Sequence, residues 1–200
     1  MKTKWQKFVD EKMTLMALEK NILDVGGGEP FQKWLFKYKD LFAKCNYKTM
    51  EPNAESKPDI LGDIHAIPLA SDSQDAIICH SVLEHVADPT RAVRELYRVL
   101  VPGGKLFLHL PSIYPYHARQ GDGGYPDYWR FFDDTLKILL KDFKEIEIVK
   151  RGGYFTALLF FMPYQHKLRF MIDPLACFLD MIFKTESRTT TAGYYIYAIK

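Results

Sequence analysis

The chain has 200 residues, which is enough for one domain with a substantial hydrophobic core. Apolar residues make up 48% of the chain and charged residues 26%, a balance that is typical of globular proteins and excludes a disordered or fibrous chain. The formal net charge of +2 excludes the strongly basic surface of most nucleic-acid-binding proteins, so no nucleic-acid partner is expected.

The cysteines, the N-terminus and the most apolar stretch bear on localisation. Cys45, Cys79 and Cys177 are widely spaced and odd in number, so neither a disulfide framework nor a zinc-binding spacing is indicated. Residues 1–20 mix lysines, acids and apolar residues and contain no signal-peptide core. The apolar stretch 154–164 is too short to cross a bilayer and is broken by a proline. We therefore expect a cytoplasmic protein without a transmembrane segment.

Helical and strand-like hydrophobic patterns alternate along the chain. Helices are predicted at residues 4–18, 31–44, 89–100 and 134–142. Strands are predicted at residues 21–25, 47–51, 58–61, 76–80, 105–110, 145–149 and 194–199. Asp88 and Asp133 stand where the capping residues of the third and fourth helices belong. Strands joined by helical crossovers favour a mainly parallel sheet with helices on both faces, in which ligands bind beyond the carboxyl ends of the strands.

The end of the first predicted strand carries a glycine-rich turn. A short apolar run leads into Asp24, and Gly26, Gly27 and Gly28 follow directly before a helical pattern. Glycine lets backbone N–H groups approach a ligand closely, and the acid can hold a polar or cationic group. The dinucleotide fingerprint requires a glycine where this chain has Phe31, so pyrophosphate binding is disfavoured. The turn predicts a nucleotide pocket, while an ordinary strand-to-helix turn stays an open alternative.

Acidic residues also follow the next two predicted strands. Glu51, after the second strand, is suited to accept two hydrogen bonds from a ribose diol. Asp63, after the third strand, is suited to accept a hydrogen bond from the amino group of an adenine. Taken singly, each acid is more often a solvated loop residue. As an ordered set at successive strand ends, together with Asp24, they favour a single nucleoside ligand.

Further motifs after the fourth strand and after the third helix have the same order as in one enzyme family. These are Leu-Glu-His at 83–85 and Arg-Val-Leu-Val-Pro-Gly-Gly at 98–104. With them, the chain resembles the class I S-adenosylmethionine-dependent methyltransferases over roughly residues 20–150. The segments that carry the resemblance are 22–28, 50–52, 58–64, 75–86 and 95–106.

The resemblance implies a Rossmann-like α/β fold with a seven-stranded, mainly parallel sheet, an antiparallel last strand and helices on both faces. It implies a single domain, with an N-terminal helix in 1–19, a cofactor-binding core in 20–153, an apolar helical insertion in 154–193 and the last strand in 194–200. It also implies S-adenosylmethionine as the cofactor. The implied cofactor contacts are Asp24, Gly26 and Gly28 at the methionine end, Glu51 at the ribose, Asp63 and Ile64 at the adenine, and Ser81 and Val82 beside the cofactor.

The segments 111–117 and 127–131 resemble those of small methyltransferases linked to polysaccharide or glycan pathways. This resemblance implies methyl transfer to a small-molecule or glycan-type acceptor, with His117, Tyr128 and Arg130 as acceptor contacts. His117 and His85 are the candidate bases, because a hydroxyl or amine acceptor must lose a proton. Transfer from a sulfonium needs no metal and no ligand cluster with metal spacing is recognised, so we expect metal-independent in-line transfer and no metal site.

Other interpretations stay open. The chain could be an S-adenosylmethionine-binding protein without catalysis. A nicotinamide-dependent oxidoreductase is less favoured, because Phe31 interrupts the fingerprint and no Tyr-x-x-x-Lys pair is present. The apolar segment 154–183 either packs on the core and the acceptor pocket, or contacts a membrane surface or a second copy of the chain.

Overall fold

A computed structural model of the chain describes residues 2–121, 123–162, 165–185 and 190–200. Its α-helices are α1 (Lys4–Met16), α2 (Pro89–Val99), α3 (Asp133–Leu139), α4 (Tyr154–Leu159) and α5 (Gln165–Ile182). Its strands are β1 (Asn21–Val25), β2 (Asn46–Glu51), β3 (Ile60–Leu61), β4 (Gln74–His80), β5 (Leu100–Pro111), β6 (Lys144–Lys150) and β7 (Gly193–Ile199).

The seven strands form one sheet in the order β3-β2-β1-β4-β5-β7-β6. β1 pairs in parallel with β2 and β4, β2 with β3, and β4 with β5. β7 runs antiparallel to both of its neighbours, β5 and β6. The predicted sheet, mainly parallel with a reversed last strand, is therefore confirmed. The carboxyl ends of β1 to β5 consequently meet at one edge.

Helices cover both faces of the sheet because side chains alternate along each strand. Leu23 and Val25 of β1 pack with the buried residues of α2 and α3 in one hydrophobic cluster. Ile22, directly before Leu23, packs on the opposite side with the buried residues of α1. All three side chains are buried, as a parallel strand covered on both faces requires. The predicted helices on both faces are confirmed.

The predicted helix over 31–44 is wrong in type. A 3₁₀ helix spans Lys33–Tyr38 and is followed by turns. Phe31 adopts a left-handed φ of +58°, which cannot start a right-handed helix. Gln32, the next residue, makes no capping hydrogen bond with its side chain. The apolar pattern was nevertheless informative, because Leu35 and Phe42 are buried against the sheet.

One of the two predicted helix caps is present. The Asp88 carboxylate accepts a hydrogen bond from the Arg91 N–H at 2.9 Å and caps α2. The expectation for Asp133 is wrong, since α3 begins at Asp133 itself and Phe132 occupies the cap position. The Asp133 carboxylate lies 3.4 Å from Lys150 Nζ on β6 instead. Asp133 therefore forms a tertiary ion pair instead of the helix cap that the local sequence predicted.

A buried carboxylate joins α4 to α5. Asp180, near the end of α5, accepts hydrogen bonds from the N–H groups of Gly153, Phe155 and Thr156 at 2.9, 2.9 and 3.1 Å. The hydroxyls of Thr156 and Thr185 also donate to it. Burial opposes ionisation of Asp180, but these hydrogen bonds outweigh it and lower the pKa of the carboxyl. The free backbone N–H groups at the N-terminus of α4 therefore find their hydrogen-bond acceptor on α5 rather than in a local capping residue.

The segment 154–183 also leaves apolar side chains on the surface. The exposed ones include Leu158, Phe161, Met162, Leu175, Phe178 and Met181. In the described part of the chain, none of the helices is both long enough and apolar enough to cross a membrane. Residues 163–164 of this segment, and 186–189 of the predicted insertion, lie outside the described residues. Contact of 154–183 with a membrane surface or a second copy stays a prediction.

Asp180→Ala is expected to lower the free energy of unfolding by about 3 kcal/mol, because it strands several buried donors at once. Urea unfolding measures this, and Asp142→Ala, at an exposed position, is the control. Since the folded pKa of Asp180 is lowered, its stabilisation is complete above about pH 4 and is lost as the pH falls through the folded value. Equal losses in the two variants would contradict this role.

Candidate active site

A cavity of about 890 Å³ opens at the carboxyl ends of the parallel strands. All eight residues that the sequence predicted as cofactor contacts line it, although they come from separate segments of the chain. They are Asp24, Gly26, Gly28, Glu51, Asp63, Ile64, Ser81 and Val82. His85, His117 and Tyr128 line the same cavity, whereas Arg130 is absent from its walls. The structure thus brings the predicted cofactor end and most of the predicted acceptor end together.

The glycine turn after β1 is closely packed on both sides. Gly26 and Gly28 adopt left-handed φ values of +78° and +61°, which side-chain-bearing residues rarely adopt. A Cβ on Gly26 would lie 2.2 Å from Val82 Cγ2. A Cβ on Gly27 would lie 2.1 Å from Asp24 Oδ2, so this glycine lets the backbone pass over the carboxylate. Sequence reasoning gave Gly27 no role, although three consecutive glycines were the signal.

Asp24 is buried beneath this turn and accepts a 2.6 Å hydrogen bond from the Tyr47 hydroxyl. Burial raises the pKa of Asp24 to about 7; the hydrogen bond from Tyr47 opposes the rise, and the negative charge of Glu51 adds to it. A cation bound against Asp24 and Glu51 would reverse much of this shift. The methionine end of the cavity is therefore suited to a ligand with an ammonium group.

Asp63 stands at the opposite end of the cavity, where the sequence predicted the adenine. Its Oδ1 accepts the His65 N–H at 2.8 Å and lies 2.7 Å from His65 Nδ1. These interactions, with the backbone hydrogen bond as the largest contribution, lower the pKa of Asp63 and keep it ionised. Ile64 beside it is buried. The pair presents a fixed carboxylate next to an apolar surface.

The strand end at β4 is held in a strained conformation. Ser81 has a left-handed φ of +57°, although it carries a side chain. Its N–H donates to the His109 carbonyl at 3.1 Å, and its hydroxyl lies 2.8 Å from His109 Nδ1. Burial, together with nearby His80, holds the pKa of His109 well below its ordinary value, so this imidazole is neutral. These contacts turn Val82 toward the glycine turn.

Three potential ligand or base groups converge beyond β4, and we name them the Glu84–His85–His117 cluster. Glu84 Oε1 lies 3.9 Å from the Nε2 atoms of both His85 and His117. Glu84 is 1% exposed, and burial raises its pKa to about 8. The spacing in the sequence did not indicate this cluster, because His117 comes from the distant segment that follows β5. The expectation of no metal site stays a prediction.

The segment after β5 is fixed by a buried ion pair that includes Arg130. Asp127 accepts the His117 N–H at 2.8 Å and pairs with both terminal nitrogens of Arg130 at 2.6 and 2.7 Å. The Arg130 guanidinium lowers the pKa of Asp127 to about 2. The remaining Arg130 donors bind the carbonyls of Tyr114, Pro115 and Trp129. The prediction that Arg130 contacts the acceptor is corrected: all five of its donors are engaged within the protein, so it positions His117.

Tyr128 retains the exposure that an acceptor contact needs. Its side chain is 57% exposed and lines the cavity, while its backbone N–H donates to the Glu84 carbonyl at 2.7 Å. The neighbouring Trp129 donates from Nε1 to the Val86 carbonyl at 2.8 Å. The segment 127–131 is thereby tied to the loop that follows β4. Acceptor contact by Tyr128 stays a prediction.

The chain matches a family model described as "Methyltransferase domain" over residues 23–108. It is 31% identical over 158 residues to 2-methyl-6-phytyl-1,4-hydroquinone methyltransferase of Arabidopsis thaliana, covering 72% of this chain and 43% of the relative. It is 58% identical over 36 residues to a ubiquinone biosynthesis O-methyltransferase of Xanthomonas oryzae, covering 18% of this chain and 15% of the relative. The chain spans less than half the length of the first curated relatives that it matches.

Solved structures share the fold at low sequence identity. An S-adenosylmethionine-dependent methyltransferase from Archaeoglobus fulgidus matches with a TM-score of 0.62 and 14% identity, covering 97% of this chain and 92% of the other. A phosphoethanolamine N-methyltransferase from Haemonchus contortus, solved with S-adenosylmethionine, matches with a TM-score of 0.56 and 13% identity, covering 94% and 52%. These likenesses show the fold, and the family match together with the sequence motifs shows that the chain carries a class I S-adenosylmethionine-dependent methyltransferase domain.

Proposed function

We propose that this protein transfers a methyl group from S-adenosylmethionine to a hydroxyl of a small-molecule or glycan-type acceptor. One observation carries the proposal: the eight predicted cofactor residues and the Glu84–His85–His117 cluster line the same cavity. A nucleoside-binding wall and a group of proton acceptors in one cavity suit a reaction that needs both an activated donor and a deprotonated acceptor.

The residues present fit the cofactor. Gly27 lets the backbone lie directly over Asp24, where a Cβ would collide with the carboxylate. The raised pKa of Asp24 marks a buried acid that a bound ammonium would stabilise. Glu51 is the last residue of β2, at the position where an acid accepts hydrogen bonds from a ribose diol. Asp63 and Ile64 offer one acceptor and one apolar surface to an adenine. When bound, S-adenosylmethionine supplies a methyl group activated by a positively charged sulfur.

The side chains at the acceptor end hold the hydroxyl and assist the loss of its proton. His85 Nδ1 lies 2.6 Å from the Pro126 carbonyl, and His117 Nδ1 lies 3.2 Å from Asp127 Oδ2. Both partners are acceptors, so each Nδ1 carries the hydrogen and each Nε2 presents a lone pair towards Glu84. A hydroxyl placed at this cluster meets basic groups in a cavity that restricts water.

The acceptor class is inferred from two sources. The segments 111–117 and 127–131 resemble those of methyltransferases from glycan pathways, and the plant relative is named for a hydroquinone. The bacterial relative is named an O-methyltransferase. The bacterial name specifies an oxygen as the methylated atom, and sugars and hydroquinones both carry hydroxyls, so hydroxyl-bearing rings, sugar or phenolic, are the acceptors to test first.

Glu51→Ala is expected to weaken binding of S-adenosylhomocysteine at least tenfold, because it removes charge-assisted hydrogen bonds to the ribose. Calorimetric titration measures the affinity, with NAD as the control ligand and Glu11→Ala, on α1, as the control variant. We expect no NAD binding and unchanged affinity in Glu11→Ala. If the wild type did not bind S-adenosylhomocysteine, the proposed methyltransferase function would be contradicted and only the shared fold would stand.

Affinity for S-adenosylhomocysteine is expected to fall as the pH drops below about 7, since Asp24 then becomes protonated and loses its attraction for the ammonium. Asp24→Asn should bind at least tenfold more weakly at pH 8 and show a flatter pH profile. Because the folded pKa of Asp24 is raised, its ionisation costs stability as the pH rises from about 4 to about 7. The unliganded Asn variant should therefore be the more stable at pH 8. A less stable variant with an unchanged profile would contradict this.

His117→Ala is expected to lower turnover at least 10²-fold while affinity for S-adenosylhomocysteine stays nearly unchanged, because His117 lies at the acceptor end only. Release of S-adenosylhomocysteine is measured with a panel of phenolic and sugar hydroxyl acceptors. Tyr116→Ala, at the exposed neighbouring position, controls for disturbance of the segment. Unaltered turnover in His117→Ala would remove His117 from the mechanism. Cofactor binding without turnover on any acceptor would favour a protein that binds the cofactor without catalysis.

A further inference from the structure

The Glu84–His85–His117 cluster has the spacing of a metal site rather than of a hydrogen-bond network. Glu84 Oε1 lies 3.9 Å from each of the two Nε2 atoms, which is too far for hydrogen bonds. Two metal–ligand bonds of about 2.1 Å each span at most about 4.2 Å, so one ion fits between Glu84 Oε1 and either imidazole nitrogen. Among the described residues, these three offer ligand atoms that all lie within 4.8 Å of one another.

The outer hydrogen bonds orient both imidazoles for this purpose. His85 Nδ1 lies 2.6 Å from the Pro126 carbonyl. His117 Nδ1 lies 3.1 Å from the Pro115 carbonyl and 3.2 Å from Asp127 Oδ2. Each Nδ1 therefore donates outward and each Nε2 lone pair points inward. A carbonyl or carboxylate behind the second ring nitrogen is the usual support of a metal-binding histidine.

The carboxylate gives an independent indication. Glu84 is 1% exposed, and its Oε2 has no hydrogen-bond partner among the described residues. An unpaired carboxylate oxygen in a buried position is costly, and such groups are usually paired or bound to a metal. The cluster thus directs two imidazole lone pairs and a buried carboxylate towards one point. With both imidazoles neutral, none of the three residues carries a positive charge.

We propose that Glu84, His85 and His117 bind a divalent first-row transition metal ion, such as Zn²⁺, at the acceptor end of the cavity. This inference rests on the proposed methyltransferase function for its role in the reaction. Two imidazoles and one carboxylate occupy one side of the ion and leave its remaining positions open. Imidazole ligands favour zinc, iron or nickel over magnesium, which prefers oxygen ligands.

An ion held by these three residues would act as a Lewis acid on an acceptor hydroxyl in the cavity. The O–H bond would then break more readily, with its electron pair staying on the oxygen and the proton passing to solvent water. No group is oxidised or reduced. His85 and His117 are then ligands rather than bases. Loss of turnover in His117→Ala is expected in either case, so metal binding itself has to be measured.

The test is calorimetric titration of chelator-treated, metal-free protein with Zn²⁺. The wild type is expected to bind one ion per chain, and Glu84→Gln and His117→Ala are each expected to bind at least tenfold more weakly. His65→Ala is the matched control, because His65 also lies beside a carboxylate, that of Asp63, but in a pair only. Its affinity for Zn²⁺ should equal that of the wild type.

Titration of the same samples with S-adenosylhomocysteine separates the two proposals and shows that each variant is folded. Absence of Zn²⁺ binding, or equal affinity in the wild type, Glu84→Gln and His117→Ala, would overturn the metal site while cofactor binding preserved the proposed function. Binding of Zn²⁺ without binding of S-adenosylhomocysteine would preserve the metal site and overturn the cofactor assignment. If His117→Ala does not fold, Glu84→Gln decides the matter alone.

Discussion

Parallel pairing of β1 with β2 on one side and β4 on the other makes the site possible. Parallel strands end at the same edge, so Asp24, Glu51 and Ser81 meet there although they are distant in sequence. Close packing then restricts what stands at that edge: a Cβ on Gly27 would collide with Asp24 Oδ2. The buried Asp24 carboxylate therefore requires a glycine at position 27.

A second constraint acts at the acceptor end. The Asp127–Arg130 ion pair is partly buried and bidentate, and the remaining hydrogen bonds of Arg130 hold the segment after β5. The Asp127 carboxylate also accepts the His117 N–H, which sets His117 against Glu84 and His85. The positive charge of Arg130, predicted from the sequence as an acceptor contact, instead supports the cavity wall. In the proposed function, the chemistry then falls to the imidazoles and to the buried carboxylate of Glu84.

The errors in the sequence predictions share a physical cause. The segment 31–44 has helical periodicity, but the left-handed Phe31 prevents an α-helix from starting, and the same apolar residues are buried from a 3₁₀ helix and turns. Asp133 is a residue type that often caps helices, but its carboxylate pairs with Lys150 on β6. Arg130 looks available in sequence, but its donors are taken by carbonyls brought near by folding. In each case a tertiary partner or a backbone dihedral prevailed over local preference.

The sequence by itself determined the order of strands and helices, the glycine turn and the acids at successive strand ends, because periodicity and turn chemistry are local properties of the chain. It therefore identified the family and eight residues that line one cavity. Only the tertiary structure decided that His117 meets Glu84 and His85, and that Arg130 is a support. Such convergence depends on where a loop returns over the sheet. That path is set by long-range packing and by the hydrogen bonds from Arg130 to the distant carbonyls of Tyr114 and Pro115, neither of which leaves a spacing in the sequence.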